Sequence, residues 1–162
     1  MLFGSGQGQF TTPATLLPLP KMPKKVAAVD INNDNKADLL GSGSSDLTIY
    51  VSLSRGDGNY DPPAFYKVAT NVAQMLVADL NGDGRRDMAW FGVVTKNNFG
   101  TYIGLGDGTF VDGQVYTEGI APITQGLGDL NGDGKPDLVI GERATMASPA
   151  PGKLRILMNQ SD

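Results

Sequence analysis

The sequence predicts an all-β fold of β-propeller type, with blades of four antiparallel strands. Three observations predict it. An Asp- and Asn-rich loop is written three times, with its first Asp at 30, 79 and 129, steps of 49 and 50 residues. A Gly-rich turn ending in an aromatic recurs out of phase with it, at Gly6–Phe10, Gly56–Tyr60 and Gly106–Phe110, in steps of 50. Between these markers run short apolar segments with period-two alternation, such as Leu47–Leu53 and Thr101–Leu105. Alternation marks half-buried strands, and a fixed period of this length marks a solenoid, a propeller or an array. Four strands per repeat make a propeller blade.

The middle repeat is the clearest to divide. A first strand covers about Ala73–Ala78, and the loop Asp79–Asp87 follows. A second strand is Met88–Gly92, a third Gly100–Leu105 and a fourth about Phe110–Tyr116. The first repeat gives Val26–Val29, then Asp38–Leu40, Leu47–Leu53 and Ala64–Val68 in the same order. The connection between second and third strands varies most, including Val94–Phe99 in one repeat and Arg143–Gly152 in another. Variable loops on a fixed scaffold are where binding function concentrates. The division is an N-terminal strand and linker over 1–25, then blades over 26–70, 71–119 and 120–162. Residues Phe10–Leu19 take the place of a fourth strand, and Lys153–Met158 that of a third, so the last blade lacks its own fourth strand. A closed propeller needs roughly four to eight blades. The expectation is therefore a homodimer closing a six-bladed ring by exchanged N-terminal strands, or a piece of a longer propeller.

The loops specify a ligand chemistry. In each copy, positions 1, 3, 5 and 9 carry oxygen side chains: Asp30, Asn32, Asp34 and Asp38; Asp79, Asn81, Asp83 and Asp87; Asp129, Asn131, Asp133 and Asp137. Position 7 is basic (Lys36, Arg85, Lys135) and could supply only its backbone carbonyl. Calcium is a hard cation that takes roughly 6–8 oxygens at about 2.3–2.6 Å in flexible geometry. The sequence therefore predicts up to three Ca2+ ions per chain, and magnesium's strict octahedron fits such loops less well. Position 6 holds Gly84 and Gly134, where the turn wants positive φ. The first loop has Asn35 there instead. Asn tolerates the left-handed region, so that loop is expected to be the weakest. The competing reading is an ordinary Asn-Gly or Asp-Gly hairpin turn; three in-phase copies, each with Asp at position 9, favour metal. An EF-hand would need flanking helices and Glu at position 12, where this chain has Gly41, Trp90 and Ile140.

Composition removes several function classes. The 162 residues contain no His and no Cys, which excludes a Ser-His-Asp arrangement, thiol chemistry and disulfides. The net charge of −4 argues against nucleic acid as a partner, and no apolar run is long enough to span a bilayer. Met1-Leu-Phe-Gly-Ser5 is not a signal segment, so an exported protein would be represented here by a mature portion or an excised piece. Loops of modest calcium affinity suit the millimolar calcium outside cells or at the cell surface. Arg55-Gly56-Asp57 spells an adhesion tripeptide, but the Gly-Asp-Gly turn recurs at 106–108, so a plain repeat turn accounts for it. Trp90 sits at an apolar strand position and reads as core. Tyr50, Tyr66, Tyr102 and Tyr116 are candidate surface platforms for stacking a sugar.

The loops DLNGDGRRD (79–87) and DLNGDGKPD (129–137), each followed by apolar residues and Gly, resemble FG-GAP repeats. With Leu105–Phe110 they are similar to the VCBS-type subset, and the same repeat builds the propeller of integrin α subunits. The resemblance covers nearly the whole chain. It implies a calcium loop between the first and second strands of each blade, held by the residues named above. It also implies a non-catalytic module for adhesion or for protein or glycan recognition. The alternatives are a propeller lectin, with sugar sites in the variable loops or between blades, and a propeller domain of a larger exported enzyme.

Overall fold

The computed structural model describes residues 16–19, 22–43, 47–92, 98–116, 122–142 and 152–161. They form three antiparallel sheets and no helix among the described residues. The first sheet has the order β1 (Pro23–Val29), β2 (Asp38–Gly43), β3 (Thr48–Ser52), β4 (Ala64–Lys67). The second repeats it with β5 (Val72–Ala78), β6 (Asp87–Gly92), β7 (Phe99–Gly104) and β8 (Phe110–Tyr116). The third has three strands, β9 (Pro122–Gly128), β10 (Asp137–Glu142) and β11 (Lys153–Leu157). Residues 10–15, expected as a strand, and most of 143–152 lie outside the described residues, while 16–19 form no strand.

The repeat is exact in its register. Asp38, Asp87 and Asp137 each open the second strand and stand opposite Val29, Ala78 and Gly128 at the end of the first. Each of these hairpins also carries an irregularity at its far end, between Pro23 and Lys25, between Val72 and Gln74, and between Gly141 and Glu142. A bulge sharpens local twist, so all three hairpins bend at the same place.

The sheets stand in a row. β1 packs against β5 and β5 against β9. The middle sheet is therefore covered on both faces, and all six residues of β6 are buried. Met88 and Trp90 join Leu40, Ile49, Val51 and Tyr102 in a core shared with the first sheet. Ala89 and Phe91 join Phe99 and Ile140 in a second core shared with the third. Burial on both faces explains why Met88–Phe91 is continuously apolar rather than alternating. Trp90 is 2% exposed, in the core as expected. Tyr50 and Tyr102 are each 5% exposed, which corrects their reading as sugar platforms. Both fall on strands that a neighbouring strand or sheet covers.

Gly104 shows how tight the loop–strand junction is. A β-carbon there would stand 2.0 Å from the Arg86 carbonyl oxygen, a backbone atom that cannot swing away. At Gly126 a β-carbon would meet nothing within 4 Å. Gly104→Ala should therefore lower stability by at least ~1–3 kcal/mol. Gly126→Ala should change it by no more than about 0.5 kcal/mol. Paired thermal melts check this, and equal effects would contradict the packing described.

Candidate metal centres

Each loop is built by side chains accepting hydrogen bonds from the loop's own backbone. In the second, Asp79 accepts from Gly82 N at 2.7 Å and from Gly84 N at 2.8 Å. Asn81 Oδ1 accepts from Asp83 N at 3.0 Å, and Asp83 from Arg85 N at 2.8 Å. In the third, the corresponding bonds from Gly132, Gly134, Asp133 and Lys135 measure 2.7, 2.8, 3.0 and 2.9 Å. Asp and Asn at alternate positions suit this because short side chains bond readily to backbone two residues on. The glycines at 82, 84, 132 and 134 all have φ between 78° and 86°.

The first loop reaches the same form without glycine. Asn33 and Asn35 adopt φ of 60° and 63°, the left-handed conformation, as expected of Asn35. Asp30 accepts from Asp34 N at 3.0 Å and Asn35 N at 2.8 Å, and Asn32 accepts from Asp34 N at 3.2 Å. The loops of neighbouring sheets also touch, because Asn33 Nδ2 donates to the Gly84 carbonyl at 3.1 Å.

The ninth-position carboxylates sit elsewhere. Asp38, Asp87 and Asp137 are each 0% exposed. One oxygen of each accepts from the second loop residue, namely Ile31, Leu80 and Leu130, at 2.8–2.9 Å. The other accepts at 2.8 Å from a backbone N–H at or just past the end of the third strand, at Ser54, Gly104 or Asn159. This tie between loop and third strand was missed in the sequence. Its only signal was an Asp opening every second strand. Burial pushes the Asp87 carboxyl above its ordinary value, against the lowering pull of the Gly104 and Leu80 amides; Asp83 and Asp79 add repulsion. At the exposed rim the Asn131 side-chain amide, then the Lys135 N–H, holds Asp133 below the usual range.

The donor chemistry fits a hard cation. Positions 1 and 5 of each loop supply carboxylates and position 3 an amide oxygen, gathered on shared backbone amides. The position 7 residues Lys36, Arg85 and Lys135 donate their N–H to the fifth-position Asp. The buried ninth carboxylates keep a lone pair on each oxygen. Among the described residues no three acidic side chains are already drawn into one cluster. The adhesion-like tripeptide is a repeat turn: Arg55 pairs with Asp61 at 2.7 Å, Asp57 binds Asn59, and Gly56 and Gly58 have φ of 86° and 87°.

Such a chain is a tandem-repeat protein whose unit is a strand, an Asp/Asn loop and a strand. It belongs to the FG-GAP-like repeat family, which matches residues 30–90 and 79–140. Among solved structures it is similar to one described as showing specific recognition of non-reducing terminal N-acetylglucosamine by an Agrocybe aegerita lectin. The identity is 21% and the TM-score 0.52, over 84% of this chain but 38% of the lectin chain. That likeness is one of fold. No curated protein matches.

Asp87→Asn should cost ~1–3 kcal/mol, because an amide nitrogen cannot accept the N–H it would then face. Its sign with pH is also fixed. A carboxyl raised above its ordinary value of 3.8 binds its proton more tightly in the folded chain. Without metal, Asp87 therefore makes stability fall as pH rises from that value through the raised one. Denaturant melts across acidic pH should show Asp87→Asn less stable and lacking this part of the slope.

Proposed function

We propose that the chain is a calcium-stabilised sector of a β-propeller, serving as a non-catalytic binding module for a glycan or protein outside the cell. The observation that carries this is the triplicate loop, in which the Asp, Asn and Asp of positions 1, 3 and 5 accept from the backbone N–H groups of positions 5, 6 and 7 in all three hairpins. Carboxylates brought together at positions 1 and 5 repel one another, and a bound divalent cation removes that repulsion. Asp30, Asn32 and Asp34, with Asp38 behind them and the Lys36 carbonyl beside, would hold the first ion. Asp79, Asn81, Asp83, Arg85 and Asp87 would hold the second, and Asp129, Asn131, Asp133, Lys135 and Asp137 the third. In each case the ligands lie within one hairpin, so the ion's task is structural. The row of sheets touching through their first strands supports the propeller reading, since those strands line a propeller's axis.

The non-catalytic reading is supported by the absence of His and Cys and by carboxylates committed to backbone amides. Glycan recognition is supported by the lectin fold neighbour and by Tyr116, the one of the four candidate tyrosines that is exposed, at 42%. Placement outside the cell is supported by the calcium demand of such loops. No helix among the described residues is long and apolar enough to cross a membrane. The chain spans about 38% of its lectin neighbour, which keeps open a place in a larger exported protein.

A panel of saccharides read by melting temperature in calcium tests the glycan reading. Binding at a hundred times Kd should stabilise by about 2.7 kcal/mol, and chelation should abolish the shift. A panel that moves nothing would remove glycan recognition and leave a protein ligand.

A further inference from the structure

Two asparagines that depart from the repeat each reach across an interface between neighbouring sheets. Asn33 stands at loop position 4, where the second and third loops have Gly82 and Gly132. It holds a left-handed backbone, φ 60°, that glycine would adopt without steric cost. Its side chain bridges the loops: Nδ2 donates at 3.1 Å to the carbonyl of Gly84. The N–H of Gly84 is itself on Asp79 at 2.8 Å. Residue 84 is thus held at its N–H by the first carboxylate of its own loop and at its carbonyl by the neighbouring loop.

Asn159 makes the matching link between the second and third sheets. It takes the place of Ser54 and Gly104, whose N–H groups likewise bond the ninth carboxylate. Gly104 has no side chain, and Ser54 turns its hydroxyl to Gly56 N at 3.2 Å. Asn159 instead puts its N–H on Asp137 at 2.8 Å and its Nδ2 on the carbonyl of Leu80, in the second loop, at 2.7 Å. The N–H of Leu80 in turn donates to Asp87 at 2.8 Å. One chain of hydrogen bonds, Asp137–Asn159–Leu80–Asp87, therefore joins the ninth carboxylates of two loops. The Asn159 amide is fully engaged. Nδ2 also donates to the Pro136 carbonyl at 3.2 Å, and Oδ1 accepts from Ser161 N at 3.1 Å and Ser161 Oγ at 2.9 Å. An amide with both donors and both acceptor sites used is held in one orientation. Ser161 Oγ shares the Leu80 carbonyl at 3.2 Å and reinforces the link.

We propose that these two asparagines couple the three loops, so that calcium enters them cooperatively with the second loop as the hub; this rests on the calcium reading above. Each loop must fix its alternate side chains on its own backbone before they can meet one ion, and that ordering costs entropy. Ordering the second loop holds the Gly84 carbonyl where Asn33 bonds it, and Asn33 lies between the candidate ligands Asn32 and Asp34. The same ordering holds Leu80 and, through Asn159, the base of the third loop. An ion in one loop therefore leaves less to be ordered in the next, which raises affinity without a change of shape. The coupling is reciprocal, so ions in the outer loops favour the middle one. It also gives a left-handed asparagine a reason to stand at position 4, where glycine serves the other loops.

The test is a calcium titration of the chelator-stripped full chain, followed loop by loop through the backbone amide resonances of Asn35, Gly84 and Gly134. Each of these amides donates to the first Asp of its own loop. The expected curves are steeper than single-site binding in all three loops. Asn33→Gly gives position 33 the residue of the other loops, so the fold is kept and a left-handed residue is relieved. It should nevertheless weaken calcium in the first loop by at least about fivefold and reduce its curve to single-site form. Asn159→Ser, which gives that position the residue of the first sheet, combined with Ser161→Ala, should do the same to the third loop and leave the first two coupled. Single-site curves in the unaltered chain overturn the proposal and leave the calcium reading standing. Steep curves that neither variant changes overturn it as well. Amides that never respond to calcium remove the calcium reading and this coupling together.

Discussion

The structure depends on a buried carboxylate that accepts two backbone N–H groups, one from its own loop and one from the end of the third strand. Asp38, Asp87 and Asp137 each close their own loop through its second residue and hold the end of the third strand with the other oxygen. An unpaired buried carboxylate would be costly. With two amides it instead joins three successive strands at one corner. Each loop therefore stands on a fixed base, and the alternate oxygens upstream in it face outward. The same corner explains why Gly104 admits no side chain, since its N–H must reach Asp87 past the Arg86 carbonyl.

From that corner the packing propagates sideways. Neighbouring loops touch through Asn33 and the Gly84 carbonyl, and the third sheet reaches the second through Asn159 Nδ2 on the Leu80 carbonyl at 2.7 Å. Gln74 Nε2 likewise donates from β5 to the Gln125 carbonyl of β9 at 3.1 Å. These polar ties sit around two apolar seams that share the middle sheet. Trp90 fills one and Phe91 the other, so adjacent residues of one strand bind opposite neighbours together. A repeat of this kind is stabilised chiefly by its neighbours.

Much of this was legible in the sequence. The loop period pointed to the hairpins, the turns at 56–60 and 106–110 to the two described fourth strands, and Phe110–Tyr116 falls where the alternation puts it. The left-handed Asn35 followed from a known tolerance of asparagine. Other features were hidden for physical reasons. Alternation says which residues share a face but not whether another sheet covers it, so Tyr50 and Tyr102 were misjudged. The double engagement of Asp87 was hidden because Gly104 is 17 residues away and offers only a backbone N–H, which leaves no trace in residue type.

The central claim is that these loops hold calcium and that the fold leans on it. Native mass spectrometry in calcium, repeated after chelation, addresses it most directly. The account predicts three calcium ions for each chain, since all three loops reach the same form, and their loss on chelation with a broadened, less compact charge distribution. Chains that carry no calcium in either condition, with unchanged charge states, would contradict it and return the loops to plain hairpin turns.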